Sequence, residues 1–309
     1  MIKNGLDRVL ISVQTMEESL AFYRDLLKMK VVTDDSLPSQ AVSRLWHLPE
    51  GTKARSVLLR MEEQITLLEL IEFQPHFGKF IRSNAKTYDY GLFDVAFRAK
   101  SVDVAYQDLK GRGYEFICPP TIYNAEWTKV TAKEALMIGP NHMPIALIER
   151  LSEPKPVIKG DYGVMVDSAQ FVDDMDQVTR FYVDTLGLNK FFDQPLPEGL
   201  IDDLVRLPAG TKSRMAFVIK PGSNAIFIEF LQTTAKAGYL SHVAKPPNLG
   251  LFSIALETVN LAELTRKVVD ADFPVLSGPV EIARGSYERI HALTVAGPSQ
   301  VLLQFYEKQ

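Results

Sequence analysis

Apolar residues crowd the segment from Arg8 to Val13, and the β-branched share among them predicts a strand. Thr15 then stands three residues before Glu18, the spacing of a capping box, and Met16, Leu20, Tyr23 and Leu27 follow at helical intervals. That pattern predicts a helix with one apolar face. Ser56–Met61 and Thr66–Phe73 read as strands again. The Leu48-Pro49-Glu50-Gly51-Thr52-Lys53 stretch before them reads as a turn, broken by proline and glycine. The pattern then restarts. A strand over Leu92–Arg98 leads into a helix over Val102–Leu109, Gly111 and Gly113 end it, and further strands run to Ile148.

The second half says the same thing again. Leu207-Pro208-Ala209-Gly210-Thr211-Lys212 repeats the turn, Phe181-Tyr182-Val183-Asp184 repeats Phe22-Tyr23-Arg24-Asp25, and Gly250-Leu251-Phe252 repeats Gly91-Leu92-Phe93, all at one offset. Asp174 with Gln177, and Asn260 with Glu263, supply capping boxes, while Met215–Ile219 and Ala225–Leu231 read as strands. The unit strand–helix–several strands is therefore used four times, in a chain that duplicates one domain. Residues 152–160, with two prolines and two lysines, form the natural linker between copies 1–151 and 161–309.

One helix for every three or so strands excludes a doubly wound parallel sheet, which needs a crossover helix between successive strands. The expected class is α+β: antiparallel sheet with helices on one side, curled into an open cup. Composition agrees with a globular protein, at 46% hydrophobic and 23% charged residues in 309. The net charge of −4 favours neither nucleic acid nor an anionic membrane. A single cysteine, Cys118, excludes an internal disulfide and fits a reducing compartment, and Met1-Ile2-Lys3-Asn4-Gly5 lacks the apolar stretch of a signal peptide. A cytoplasmic protein is expected, with a homodimer left open.

The opening strand Leu6–Val13, the helix signature Phe22-Tyr23-Arg24-Asp25-Leu26-Leu27, the strand Leu68-Glu69-Leu70-Ile71-Glu72 and the restart Gly91–Phe97 resemble the vicinal oxygen chelate superfamily. It includes glyoxalase I, methylmalonyl-CoA epimerase, extradiol dioxygenases and bleomycin-resistance proteins. The resemblance implies four βαβββ modules paired into two glyoxalase-like cups, one per copy, with metal ligands from the first and last strand of each module. Carried over, the first cup would present Arg8, Glu69, Asp94 and Ala146, and the second Asp167, Glu229, Ser253 and Gln304. None of the five histidines (His47, His76, His142, His242, His291) falls at such a position, which weighs against an iron-dependent ring-cleaving dioxygenase.

Two readings stand for each cup. In the first, a guanidinium at a ligand position would repel a divalent ion. Arg8 would then bind a substrate oxyanion with Glu69 or Asp94 as base, or these three form an interior ion network; Ser253, in the second cup, is a poor fourth ligand or a further substrate contact. In the second, Asp167, Glu229 and Gln304 would hold a hard ion such as magnesium or manganese. Without metal, Asp167 and Glu229 would be an acid–base pair, with Gln304 orienting the substrate. Glu69 and Glu229 carry most weight, since both copies place an acid among apolar strand neighbours, at a cost unless it is paired or used. Lys53, Arg55, Lys212 and Arg214 either grip an anionic group or are solvated strand flanks. Trp46, Trp127, Tyr123 and His47 stack on a ligand or pack in the core, and Cys118 is a packing residue. The expected function is a lyase or isomerase acting on a small ketone, enol or aromatic compound, with no cofactor. The alternative is a sequestration protein without chemistry.

Overall fold

The computed structural model describes residues 1–62, 64–75, 78–125 and 129–309. Module one comprises β1 (Arg8–Ser12), α1 (Met16–Leu20), β2 (Lys30–Leu37), α2 (Ser39–Trp46), β3 (Lys53–Arg60) and β4 (Leu67–Gln74). Module two comprises β5 (Gly91–Ala99), α3 (Val102–Gly111), β6 (Glu115–Ala125), β7 (Val130–Ile138) and β8 (Pro144–Arg150). Module three runs through β9 (Tyr162–Val172), α4 (Met175–Arg180), β10 (Asn189–Pro195), α5 (Asp202–Val205), β11 (Ser213–Ile219) and β12 (Phe227–Thr233). Module four closes with β13 (Gly250–Glu257), α6 (Leu261–Asp270), β14 (Val275–Arg284), β15 (Glu288–Ala296) and β16 (Leu302–Lys308). The short helices α2 and α5 fall in the stretch before the Leu-Pro-x-Gly-Thr-Lys turns, where the sequence pattern announces no helix.

The four modules form two eight-stranded curled sheets, as an α+β fold of this kind requires, but the copies do not each form a cup. One sheet runs β14-β15-β16-β13-β1-β4-β3-β2 and the other β10-β11-β12-β9-β5-β8-β7-β6. Module one therefore pairs with module four, and module two with module three. The joints are antiparallel: Leu10 faces Ser253 across β1 and β13, and Asp94 faces Ala169 across β5 and β9. The expectation of cups over 1–151 and 161–309 is corrected on this point, because each cup draws on both sides of the linker. The loops after modules one and three lie together in this arrangement. Phe80 bridges to Leu249, Tyr90 to Tyr239, and Asp89 accepts the Gly238 amide at 2.8 Å.

Strand alternation sorts residues between helices and cups. Val9, Ile11, Leu68, Leu70, Val95, Phe97, Ile228 and Phe230 enter the core beneath the helices, which spans all four modules. Leu10, Ile71 and Phe73 face the first cup, so Glu69 shares that face. The helices are held from the sheet as well as by their own caps. Asp174 accepts the Gln177 amide and Asn260 the Glu263 amide, each at 2.9 Å. Thr15 makes no such bond, contrary to the capping box read there. The Met16 amide instead donates to Glu72 on β4 at 2.7 Å, as Val102 does to Glu149 on β8 and Leu261 to Glu307 on β16. A carboxylate from the last strand thus answers the first free N–H of the helix in three modules, where the helix dipole favours negative charge. Among the described residues no helix is long and apolar enough to cross a membrane.

Candidate functional site

The first cup gathers Arg8, Glu69, Ser253 and Gln304, not the set expected of either copy. Arg8 reaches Glu288 at 2.6 Å, Asp7 at 3.4 Å and Glu69 at 3.5 Å. Arg284 bonds Glu69 and reaches Glu288 at 2.9 Å. Tyr306 donates to Asp7 and lies 4.5 Å beneath the Arg8 guanidinium. Burial disfavours the Glu288 carboxylate, yet Arg8 and Arg284 more than offset it and hold its pKa below the ordinary range. Ser253 donates to the Leu302 carbonyl at 2.8 Å. The interior is then filled by Leu45 and Trp46 of α2, with Trp46 5.3 Å from Phe73 and 6.3 Å from Phe252 between ring centres. This is an interior ion network on a packed core.

The second cup is different. Its walls enclose a cavity of about 400 Å³ lined by Asp94, Glu134, Asp167 and Glu229 together with Arg98, Tyr123 and apolar side chains. The position equivalent to Trp46 is Val205, and the one equivalent to Arg8 is Asp167, so both the bulk and the cation of the first cup are absent here. Asp94 and Glu229 flank Ala169 in one cross-strand row, and Asp167 faces Phe227 in the next. Leu200, Ile201, Leu204 and Val205, in and beside α5, close one side. Phe191 stands at the mouth, 53% exposed, 5.6 Å from Phe217 and 5.0 Å from Phe227.

Four acids around an apolar space cannot all be charged. Burial raises Asp167 to about 7, with Arg98 opposing. Burial, then the Asp167 charge, raises Glu134 to about 8, while a hydrogen bond from Tyr123 works the other way. Asp94 and Glu229 are pushed well above the carboxylate range by burial and then by Asp167. Asp167 thus lies below Glu134, and all four acids are pushed toward the protonated form.

The structure therefore brings Asp167, Glu229 and Asp94 together and removes Gln304, Ser253, Arg8 and Glu69 to the other cup. Gln304 neither orients a substrate beside Glu229 nor completes a metal set with it. Ala146 offers no donor, and among the described residues no group of three or more His, Cys, Asp or Glu side chains is placed to hold a metal ion. The carboxylates as placed do not fit a resident metal. Glu134 and Arg98 escaped the sequence reading, although Ala132-Glu134-Leu136 and Asp94-Ala96-Arg98 show the same acid-or-base-among-apolar alternation that marked Glu69. In the first cup Asp7, Arg284, Glu288 and Tyr306 were missed.

Other expected contacts resolve simply. Arg55 binds Asp34 at 2.7 Å and Glu17 at 2.8 Å, and its repeat Arg214 binds Asp193 at 2.7 Å and Asp176 at 2.9 Å. Both arginines are committed to matching surface ion pairs, and Lys53 and Lys212 are exposed. His47 contacts the Leu276 carbonyl at 2.8 Å, His142 packs on Phe80, and Cys118 is buried. Trp127 and His76 lie outside the described residues.

Comparison with known proteins agrees with this architecture. Glyoxalase I from Zea mays superposes with a TM-score of 0.64 at 12% identity, covering 99% of this chain and 92% of that one. A mutant of that enzyme gives 0.62 at 14% identity, with 98% and 93% covered. At such identities the likeness shows the fold. No curated protein sequence matches the chain. A family model does match, over residues 5–126 and 165–305, and with four modules in two curled sheets the chain belongs to the Glyoxalase/Bleomycin resistance protein/Dioxygenase superfamily.

Proposed function

We propose that the chain is a lyase or isomerase that moves protons beside the carbonyl or enol of a small molecule bound between modules two and three. The observation that carries this reading is one apolar cavity lined by four carboxyl groups, Asp94, Glu134, Asp167 and Glu229, all of which burial pushes up, Asp167 to about 7 and Glu134 to about 8. Asp167 as carboxylate would take a proton from the carbon next to a carbonyl, and protonated Glu229 or Asp94 would donate to the developing oxyanion. Return of the proton to another carbon isomerises the substrate, and departure of a β-substituent makes the reaction an elimination. Apolar walls keep water away from the enol. The single cysteine and the acidic net charge are in keeping with a cytoplasmic protein free of nucleic acid.

The test is deuterium incorporation at the α-carbon of a panel of neutral and anionic ketones small enough for the cavity. Exchange by the wild type that Asp167→Asn removes supports the proposal; exchange equal in both overturns it. Tight binding without turnover across the panel would leave the sequestration reading. Metal analysis of the purified protein accompanies it: stoichiometric magnesium or manganese would change the mechanism, and iron would favour oxygen chemistry.

A further inference from the structure

We infer that the cavity takes an organic anion with a broad apolar or aromatic body, its carboxylate or equivalent oxyanion seated on Arg98. The inference rests on the same cavity as the proposed acid–base reading and adds the substrate class to it. Arg98 follows Asp94 and Ala96 on the inward face of β5, so its side chain enters the cavity from the wall. Among the described residues its guanidinium makes no hydrogen bond or ion pair. That sets it apart from Arg8, Arg284, Arg55 and Arg214, each bound to at least one carboxylate. A guanidinium cannot shed its charge to escape burial, and its planar fork matches an oxyanion with two hydrogen bonds.

Asp167 is the carboxylate that acts most strongly on Arg98, but the two do not form a salt bridge, so the fork stays available. Arg150 lines the same space, held by the Ser152 carbonyl at 3.2 Å, and adds a second positive charge to that end. Asp94 supplies an independent sign of a ligand. The residue is 5% exposed, it lines the cavity, and its buried Oδ1 has no hydrogen-bond partner. A buried polar atom without a partner is costly, and a bound substrate oxygen would answer it. Phe93, Phe217, Phe227 and Phe191 supply flat apolar surface for the remainder of the molecule. Burial pushes Asp94, Glu134 and Glu229 toward their neutral forms, which reduces the negative charge an incoming anion meets beside Asp167.

The experiment is calorimetric titration of the full chain at neutral pH with 3-phenylpropanoate and with its neutral amide, which share a shape. The carboxylate is expected to bind at least about tenfold more tightly than the amide. Arg98→Gln should erase that preference while leaving the amide affinity within about twofold, and Arg98→Lys should keep part of it. Arg150→Gln should leave most of it. Equal affinities in the wild type, a preference that survives Arg98→Gln, loss on Arg150→Gln alone, or no binding of either probe at millimolar concentration would each overturn the inference. If Arg98→Gln does not fold, the intermediate preference of Arg98→Lys decides. Failure of the acid–base reading is separable: it removes α-proton exchange and leaves the anion preference intact. Exchange on neutral ketones with no preference for the anion would sink the inference and leave the acid–base reading standing.

Discussion

Arg8 Nη2 donates to Glu288 Oε2 at 2.6 Å, with both side chains almost wholly removed from solvent. Each keeps its charge because the other is there. Arg8→Ala would leave Glu69 and Glu288 sharing a single guanidinium, that of Arg284. Removing one partner of a buried ionic set costs about 3–5 kcal/mol, chiefly through the charge left behind. Urea unfolding should show a loss of that order, with ligand affinity of the other cup unchanged. A loss below about 1 kcal/mol would place the network in contact with water.

Asp167→Asn and Glu229→Gln keep shape and remove proton transfer. Each should lower the rate of α-proton exchange by about 10²–10⁴-fold, with binding of substrate affected far less. Parallel measurement of exchange rate and equilibrium binding separates the two effects. A matched fall in both would make these residues binding groups only.

Burial, followed by the Asp167 charge, holds Glu134 at about 8, against an ordinary 4.5. The folded chain therefore keeps a proton that the unfolded chain has already released. Stability from this group is complete at low pH and is lost as pH rises, with a slope of about 1.4 kcal/mol per pH unit between the two values. Above about pH 8 the slope ends. Glu134→Gln, uncharged throughout, should flatten the fall and be the more stable protein in alkali. Urea midpoints on either side of neutrality check this. The exchange rate should in turn rise as Asp167 ionises near 7 and fall as the remaining acids release their protons, the two limbs belonging to the cluster as a whole.

Phe191 is half exposed and stacks on Phe217 and Phe227 at the cavity mouth. Phe191→Ala should weaken an aromatic ligand by about three- to tenfold, since such a contact contributes about 0.5–1.5 kcal/mol. Stability should barely change. Titration with 3-phenylpropanoate reads the first effect and thermal unfolding the second.

Arg214 joins Asp193 and Asp176 near the surface, as Arg55 joins Asp34 and Glu17. Exposed pairs of this kind contribute about 0–1 kcal/mol. Arg214→Ala should cost no more than that and leave ligand binding untouched. A large loss of affinity would return these arginines to the binding site.

Local structure was legible because it is written locally. The repeat marked four modules, and strand alternation marked Glu69 and Glu229 as acids turned toward an interior. Pairing was not legible. β1 carries an edge that could meet either β5 or β13, and nothing in its own residues says which; the decision shows only in the folded chain, where β1 lies on β13 and the loops around Phe80 and Tyr239 meet their partners. That decision separated Gln304 from Glu229 and brought Asp94 to Asp167. Arg98 and Glu134 were present in the alternation but lay on strands from which the family pattern takes no ligand, or beyond its ligand position. Thr15 had the right spacing for a cap, yet Glu72 from the sheet had already taken the amide.

The crossed pairing of modules also fixes what the chain can be divided into. Cut at the linker, either copy would keep its helices and half of each sheet, with the inner edges of two first strands unpaired. Such a half could complete itself only against another half. In geometrical terms the protein is a dimer whose subunits are tied end to end, and the tie gives it something a dimer of identical subunits lacks: one joint can be sealed with charge while the other stays open for a ligand.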